Sequence, residues 1–154
     1  MKIILIIIAA LATSSSVLAQ SAFSPPCGAP GSIKRITNTH IGNYEYVVFD
    51  VRRPPNPHYL VTTVMPPFTQ DGSGDSVPVA GNKFKQIRLT GVMWMCGINH
   101  VFYLPQTAIK DIKGTGQWEG VVTYVVGYRT ASTYLGTYHY DVGTIRKVVM
   151  QFRR

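Results

Sequence analysis

The chain has 154 residues, in which 15 Lys and Arg face 7 Asp and Glu, for a formal charge of +8 at pH 7. That length suits one domain rather than two, and a balance this basic favours anionic partners. Beyond the first residues, no stretch is long and apolar enough to serve as a membrane-spanning helix.

The amino terminus has the pattern of a secretory signal. Met1-Lys2 gives a positive start, Ile3 to Leu11 is an unbroken apolar run, and Val17-Leu18-Ala19 is a small-residue exit. The apolar core is too short to cross a bilayer, and cleavage is expected after Ala19, within a residue or two. Residues 1–19 are therefore read as a signal peptide, 20–32 as a flexible Pro/Ser/Gly/Ala-rich leader, and 33–154 as the folded domain. Export places Cys27 and Cys96, the two cysteines of the chain, in an oxidising compartment, where they are expected to form a disulfide. Closing so long a loop is worth about 4 kcal/mol, less any strain. Pro25-Pro26 ahead of Cys27 does not form a lipobox.

From Ile33 onward, helical periodicity is absent and short β-rich runs alternate with Gly, Pro and Asn. "YEYVVFDV" (Tyr44 to Val51) reads as a strand with Val47, Phe49 and Val51 on one face and Tyr46, Val48 and Asp50 on the other. "RRPPNP" (Arg52 to Pro57) ends it, since proline cannot donate to a ladder. Tyr59 to Met65 is a second strand. Phe84 to Leu89 is a third, with Ile87 and Leu89 opposed to Arg88. Gly91 to Leu104 is apolar but interrupted by Gly97. "WEGVVTYVVGY" (Trp118 to Tyr128) reads as one long strand, followed by "TYLGTYHY" (Thr133 to Tyr140). "IRKVVMQF" (Ile145 to Phe152) sets Val148, Met150 and Phe152 against Lys147, Val149 and Gln151. Strands at this spacing predict an all-β, antiparallel β-sandwich or barrel.

The longest break in the pattern is "TQDGSGDSVPVAG" (Thr69 to Gly81). Asp71, Ser73 and Asp75 alternate like the start of an EF-hand, but Ser76 and Asn82 stand where that loop needs glycine and a bidentate glutamate. Gly81-Asn82-Lys83 does not complete a P-loop. The stretch is expected to be a turn without metal. His40, His58, His100 and His139 show no ligand spacing, and no nucleophile elbow is present. No cofactor is called for.

Aromatic residues and arginine cluster in the last third: Trp118, Tyr124, Tyr128, Arg129, Tyr134, Tyr138 and Tyr140. Tyrosine beside arginine can stack on sugar rings and hold acidic groups, and it can equally serve cross-strand pairing alone. The candidate binding residues are Arg129, the preferred contact, with Tyr128, Trp118, Tyr134 and Arg146; Arg146 and Lys147 point to opposite faces of the closing strand.

Three stretches together resemble the AMIN-like domain family of exported bacterial proteins. "YEYVVFDV" is similar to that family's opening strand, of the form D-R-V-V-F-E-F. Gln70 to Gly74 (Q-D-G-S-G) and Pro78 to Gly81 (P-V-x-x-G) match its central block, ahead of the strand Phe84 to Leu89. "GQWEGVVTYVVGYRTASTYLGTYHYDVGTIRKVVMQF" is similar to its F-E-G-V segment, aromatic strand and closing R-x-V-V-D strand. The chain departs from the family at Glu45-Tyr46, where Asp-Arg is usual, and at Lys147 and Gln151, where Arg and Asp are usual. The resemblance spans about Ile33 to Phe152 and implies a β-sandwich. By analogy with the AMIN domains of cell-wall amidases it also implies a non-catalytic role at the envelope.

The reading reached is a secreted or periplasmic, non-enzymatic β-sandwich that binds an anionic glycan or cell-wall polymer, with no nucleic-acid partner and no membrane span. Two rivals stand beside it. One is a small hydrolase using Asp71 or Asp75 with Glu119. The other is a structural domain that meets protein partners along a sheet edge.

Overall fold

The computed structural model describes residues 30–53, 58–92, 94–95, 100–102 and 107–154. The expected signal peptide and disulfide partners, Cys27 and Cys96, lie outside them. The described residues form ten strands and no helix: β1 (Ser32–Ile41), β2 (Tyr44–Arg52), β3 (His58–Thr63), β4 (Lys83–Thr90), β5 (Trp94–Met95), β6 (His100–Phe102), β7 (Ile109–Trp118), β8 (Val121–Tyr128), β9 (Thr133–Val142) and β10 (Ile145–Arg153). One sheet runs β5-β1-β2-β10-β9, with β6 also paired to β1; the other runs β3-β4-β8-β7. Pairing is antiparallel throughout, except that the short β5 and β6 lie parallel to β1.

The inner faces of the two sheets meet in one core. Ile36, Val47, Phe49, Val148, Met150 and Phe152 come from the larger sheet, and Ile87, Leu89, Val122, Tyr124, Val126 and Tyr128 from the smaller. These residues alternate along β2, β4, β8 and β10, as period-two patterning requires of a half-buried strand. Phe49 and Tyr124 bridge the sheets at mid-height, with ring centroids 5.4 Å apart. Phe152 does so at one end, 5.1 Å from Tyr128, with Tyr134 of its own sheet 5.5 Å away. Burying a side chain of this size is worth roughly 1.5–3 kcal/mol. Burial also pushes the Tyr124 phenol far above its ordinary pKa.

The strand expected over Trp118 to Tyr128 is two strands. Glu119 and Gly120 take φ of 47° and 77°, so they form the two-residue turn of a tight hairpin and Trp118 ends β7. β1 and β7 have no counterpart in the expected elements. Their pairing carries bulges, at Ile33/Arg35 in β1 and at Ile109/Asp111 and Gly114/Gly116 in β7. Each bulge adds a residue, so buried Ile33 and Ile36, or Ile109 and Ile112, fall three apart and the alternation is lost.

Glu45 joins the two sheets at the Phe152 end. It is buried in β2, and its carboxylate accepts from the N–H groups of Thr107, Ala108 and Ile109, which lead into β7, at 2.8–2.9 Å. The Thr107 hydroxyl and Arg154 Nε donate to it as well. Burial alone would raise the Glu45 pKa; these donations, first that of the Ile109 N–H, outweigh it and hold the carboxyl below its usual range.

Candidate functional site

The two outer faces of the sandwich are built differently. That of the smaller sheet is crossed by the long segment between β3 and β4, residues 64–82. Within it, Gln70 N donates to Asp75 O (2.8 Å) and Val77 N to Phe68 O (2.9 Å), and Thr69 bridges Ser76, so the Q-D-G-S-G stretch closes a small turn of its own. The turn is tied down across the sheet. Asp71 N donates to Thr115 O at 2.8 Å, Ala80 N to the Asp111 carboxylate at 3.1 Å, and Asn82 N to Tyr128 O at 3.0 Å. Phe68 sets its ring against Phe84, 5.0 Å between centroids. Ala80 O passes so close to β8 that a Cβ on Gly127 would sit 2.0 Å from it. The segment is a strap, and glycine at 127 admits it.

The outer face of the larger sheet carries no such cover among the described residues. Residues directly opposite in antiparallel strands share a face, so the register reads out its rows. Tyr44 lies opposite Arg153, Tyr46 opposite Gln151, and Val48 opposite Val149, which in turn faces Tyr138. The next row runs Tyr140, Lys147, Asp50, Arg35. Tyr138 and Tyr140 are 44% and 47% exposed, and Tyr44 is exposed as well. The Tyr138 phenol is pushed up by burial, with Tyr46 and Tyr140 adding to the shift, consistent with the three rings standing together. The charge on this face is one-sided. Lys147 Nζ and Arg35 Nη2 both meet the Asp50 carboxylate, at 2.6 and 2.8 Å, which leaves the trio net positive. Lys34 stands with Arg35 and Asp50 around a notch of about 290 Å³, and Arg52 and Arg153 occupy outward positions. Among the described residues Asp50 is the one carboxylate on this face.

The residues expected from sequence to bind are scattered over this frame. Tyr128 is buried against Phe152, and Tyr134 is half-buried there, its hydroxyl bonded to Thr137 Oγ1 at 2.7 Å and Lys85 Nζ 4.9 Å from its ring centre. Arg146 is fixed to Asp141 by two hydrogen bonds of 2.7 and 2.9 Å, which hold the Asp141 carboxyl below its ordinary pKa. Arg129 is exposed in the turn that leads to Thr133, the partner of Arg153 in the ladder. Trp118 is at the opposite end of the smaller sheet, since β8 runs from Val121, its partner, to Tyr128.

Tyr44, Tyr46, Tyr138 and Tyr140 are the group that sequence reasoning did not assemble. Tyr134, Tyr138 and Tyr140 have the same parity in the chain, yet Tyr134 points inward and the other two outward. A bulge between Gly136 and Tyr134 changes the phase, with Gly136 at a φ of 151°. Glycine beside an aromatic in an alternating strand was the available signal. Tyr46 and Gln151, two positions where the sequence departs from the resembled pattern, face each other directly.

Asp71 and Glu119, two carboxylates of the hydrolase alternative, line one groove beside the strap, together with Trp118 and Arg88. Among the described residues no three of His, Cys, Asp or Glu are placed to hold a metal ion.

A two-sheet β domain with one strapped face and one open face is the class this geometry defines. The family model of the AMIN-like domain matches residues 32–150, and the chain belongs to that family. No curated protein and no solved structure matches it significantly. Among the described residues no helix is long and apolar enough to cross a membrane.

Proposed function

We propose that the chain is an exported, non-catalytic envelope domain that binds an anionic glycan or cell-wall polymer on the open face of its larger sheet. One observation carries this reading: Tyr44, Tyr46, Tyr138 and Tyr140 share one sheet face with Lys34, Arg35, Arg52, Lys147 and Arg153. Tyrosine gives a sugar ring an apolar plane and a hydroxyl at its edge. Arginine and lysine meet carboxylate or phosphate groups spaced along the polymer, arginine with two parallel donors. A sheet face suits a polymer because its rows repeat every two residues, so several units bind in line.

Co-sedimentation with insoluble peptidoglycan, with and without its anionic polymers stripped, tests this. Binding should weaken with salt, because the Debye length falls from about 10 Å at 0.1 M to about 3 Å at 1 M. Lys34→Glu with Arg153→Glu should remove the salt-sensitive part, and Tyr138→Ala with Tyr140→Ala the remainder. A wild-type chain that stays in the supernatant at low salt overturns the reading. The hydrolase alternative draws on the shared groove of Asp71 and Glu119; release of reducing ends from peptidoglycan, lost in Glu119→Gln, would favour it.

A further inference from the structure

The strap does not cover the whole of the smaller sheet. Beyond its turn lies a groove of about 500 Å³, within the size range of small-ligand sites, lined by Trp118, Glu119, Asp71, Gln86, Arg88 and Thr123. Trp118 is 72% exposed at its rim, and a second recess of about 420 Å³ opens beside it, next to Gly72 and Gln117. An indole this exposed gains little from the fold.

The polar groups around it are held in place and left unused. Asp71 is positioned by its own N–H on Thr115 O, and its carboxylate occupies the space a side chain at Gly116 would need, where a Cβ would stand 1.7 Å from Oδ2. Glu119 is held in the left-handed region, with a φ of 47°, at a turn position where Asn or Asp is the usual choice. Arg88 faces the same groove, yet among the described residues no ion pair joins it to Asp71 or Glu119.

A buried polar group lies next to the groove. Thr115, 4% exposed, has a hydroxyl with no hydrogen-bond partner. A buried orphan hydroxyl is costly unless something meets it. It borders a cavity of about 260 Å³ under the strap, and Asp71 and Gln86 line both that cavity and the groove.

We propose that this groove is a second binding site, for one uncharged pyranose unit of a glycan. The ring stacks on the Trp118 indole. Its hydroxyls donate to the Asp71 and Glu119 carboxylates and accept from Arg88, and one substituent reaches toward Thr115 Oγ1. Two carboxylates against one guanidinium disfavour an acidic sugar here, the reverse of the open face. Sugar hydroxyls both donate and accept, so a single ring can satisfy the mixed set. The site is independent of the polymer-binding reading, since it lies on the other sheet and uses none of the same residues.

The test is an NMR titration of the full chain with chitotetraose and, separately, cellotetraose, following the Trp118 indole N–H, assigned with Trp118→Phe. The Trp118 signal should shift on saturation by at least one of the two, and 1 M salt should leave the affinity within about twofold, because screening acts on exposed charge pairs and not on stacking. Trp118→Ala should weaken binding roughly tenfold or more, equivalent to about 1.4 kcal/mol. Asp71→Asn should weaken it several-fold. Thr115→Val, which removes a hydroxyl without a partner, should weaken it while leaving the melting temperature unchanged or raised. Tyr138→Ala with Tyr140→Ala should change nothing. No shift at Trp118 with either sugar at 10 mM, on the order of the weakest useful affinity, overturns the proposal. So does loss of the shift in the Tyr138/Tyr140 variant alone.

Discussion

Val125 and Val149 both point away from the core, and both are buried, at 0% and 2% exposure. Val125 lies on the strapped side, where it borders the cavity beneath the strap with Pro67 and Phe68. Val149 lies on the open side, between Val48 and Tyr138 in the ladder, beneath its neighbours' side chains. The same residue type in the same situation is thus protected by two means. Covering a sheet with chain leaves ligand only the gap at the strap's margin. Covering it with its own tyrosines leaves that sheet face uncrossed by chain among the described residues.

The largest effect comes from breaking the joint that both sheets share. Glu45→Ala strands the buried N–H donors of Ala108 and Ile109 and the part-buried one of Thr107, and leaves Arg154 without its carboxylate. It should cost about 3–5 kcal/mol in denaturant unfolding and lower both faces together. The pH dependence has a definite sign. The folded pKa of Glu45 is depressed, so its contribution is complete above the unfolded value, about 4.3, and disappears as pH falls through the lower folded value. Stability should therefore decline in acid for the wild type and lose that component of the decline in Glu45→Ala.

A pair of glycine substitutions sharpens the contrast. Gly127→Ala drives a methyl group into Ala80 O, whereas Gly136→Ala meets nothing within 4 Å and suffers only from its φ of 151°. The first should cost about 1–3 kcal/mol or more and loosen the strap, raising amide exchange at Ala80 and Asn82. The second should cost about 1 kcal/mol, the lower end of the strain of a non-glycine residue in that region. Equal costs would mean the strap yields freely. The smallest stability effect belongs to Tyr140→Ala, an exposed position where changes usually stay within about 0.5 kcal/mol. Thermal melts that stay put while polymer binding falls would separate surface function from fold.

Much of the sandwich was legible because β2, β4 and β10 keep an unbroken alternation: Val47, Phe49 and Val51, or Val148, Met150 and Phe152, mark their inner faces without help. β1 and β7 were illegible because their bulges place buried isoleucines three residues apart. Trp118 was assigned to the wrong strand because the turn at Glu119-Gly120 uses a residue uncommon there. The chemistry of the open face was legible as a surplus of tyrosine and arginine. Which tyrosines faced out was not, since that depends on the phase after Gly136. The strap's Q-D-G-S-G and P-V-x-x-G residues were recognisable as a pattern, but that they cover Val125 is a tertiary fact.

The bulge before Gly136 acts on β9 as an inserted letter acts on a reading frame. Upstream of it, Tyr134 belongs to the core; downstream, every even-numbered residue through Val142 belongs to the surface. Deleting Leu135 would remove the bulge and leave the faces as they are, Tyr134 inward and Tyr138 and Tyr140 outward by plain alternation; straightening the strand with Leu135 kept would instead force Tyr134 onto the same face as Tyr138 and Tyr140. The extra residue, itself 44% exposed, lets tyrosines of one sequence parity serve the core at Tyr134 and the surface at Tyr138 and Tyr140.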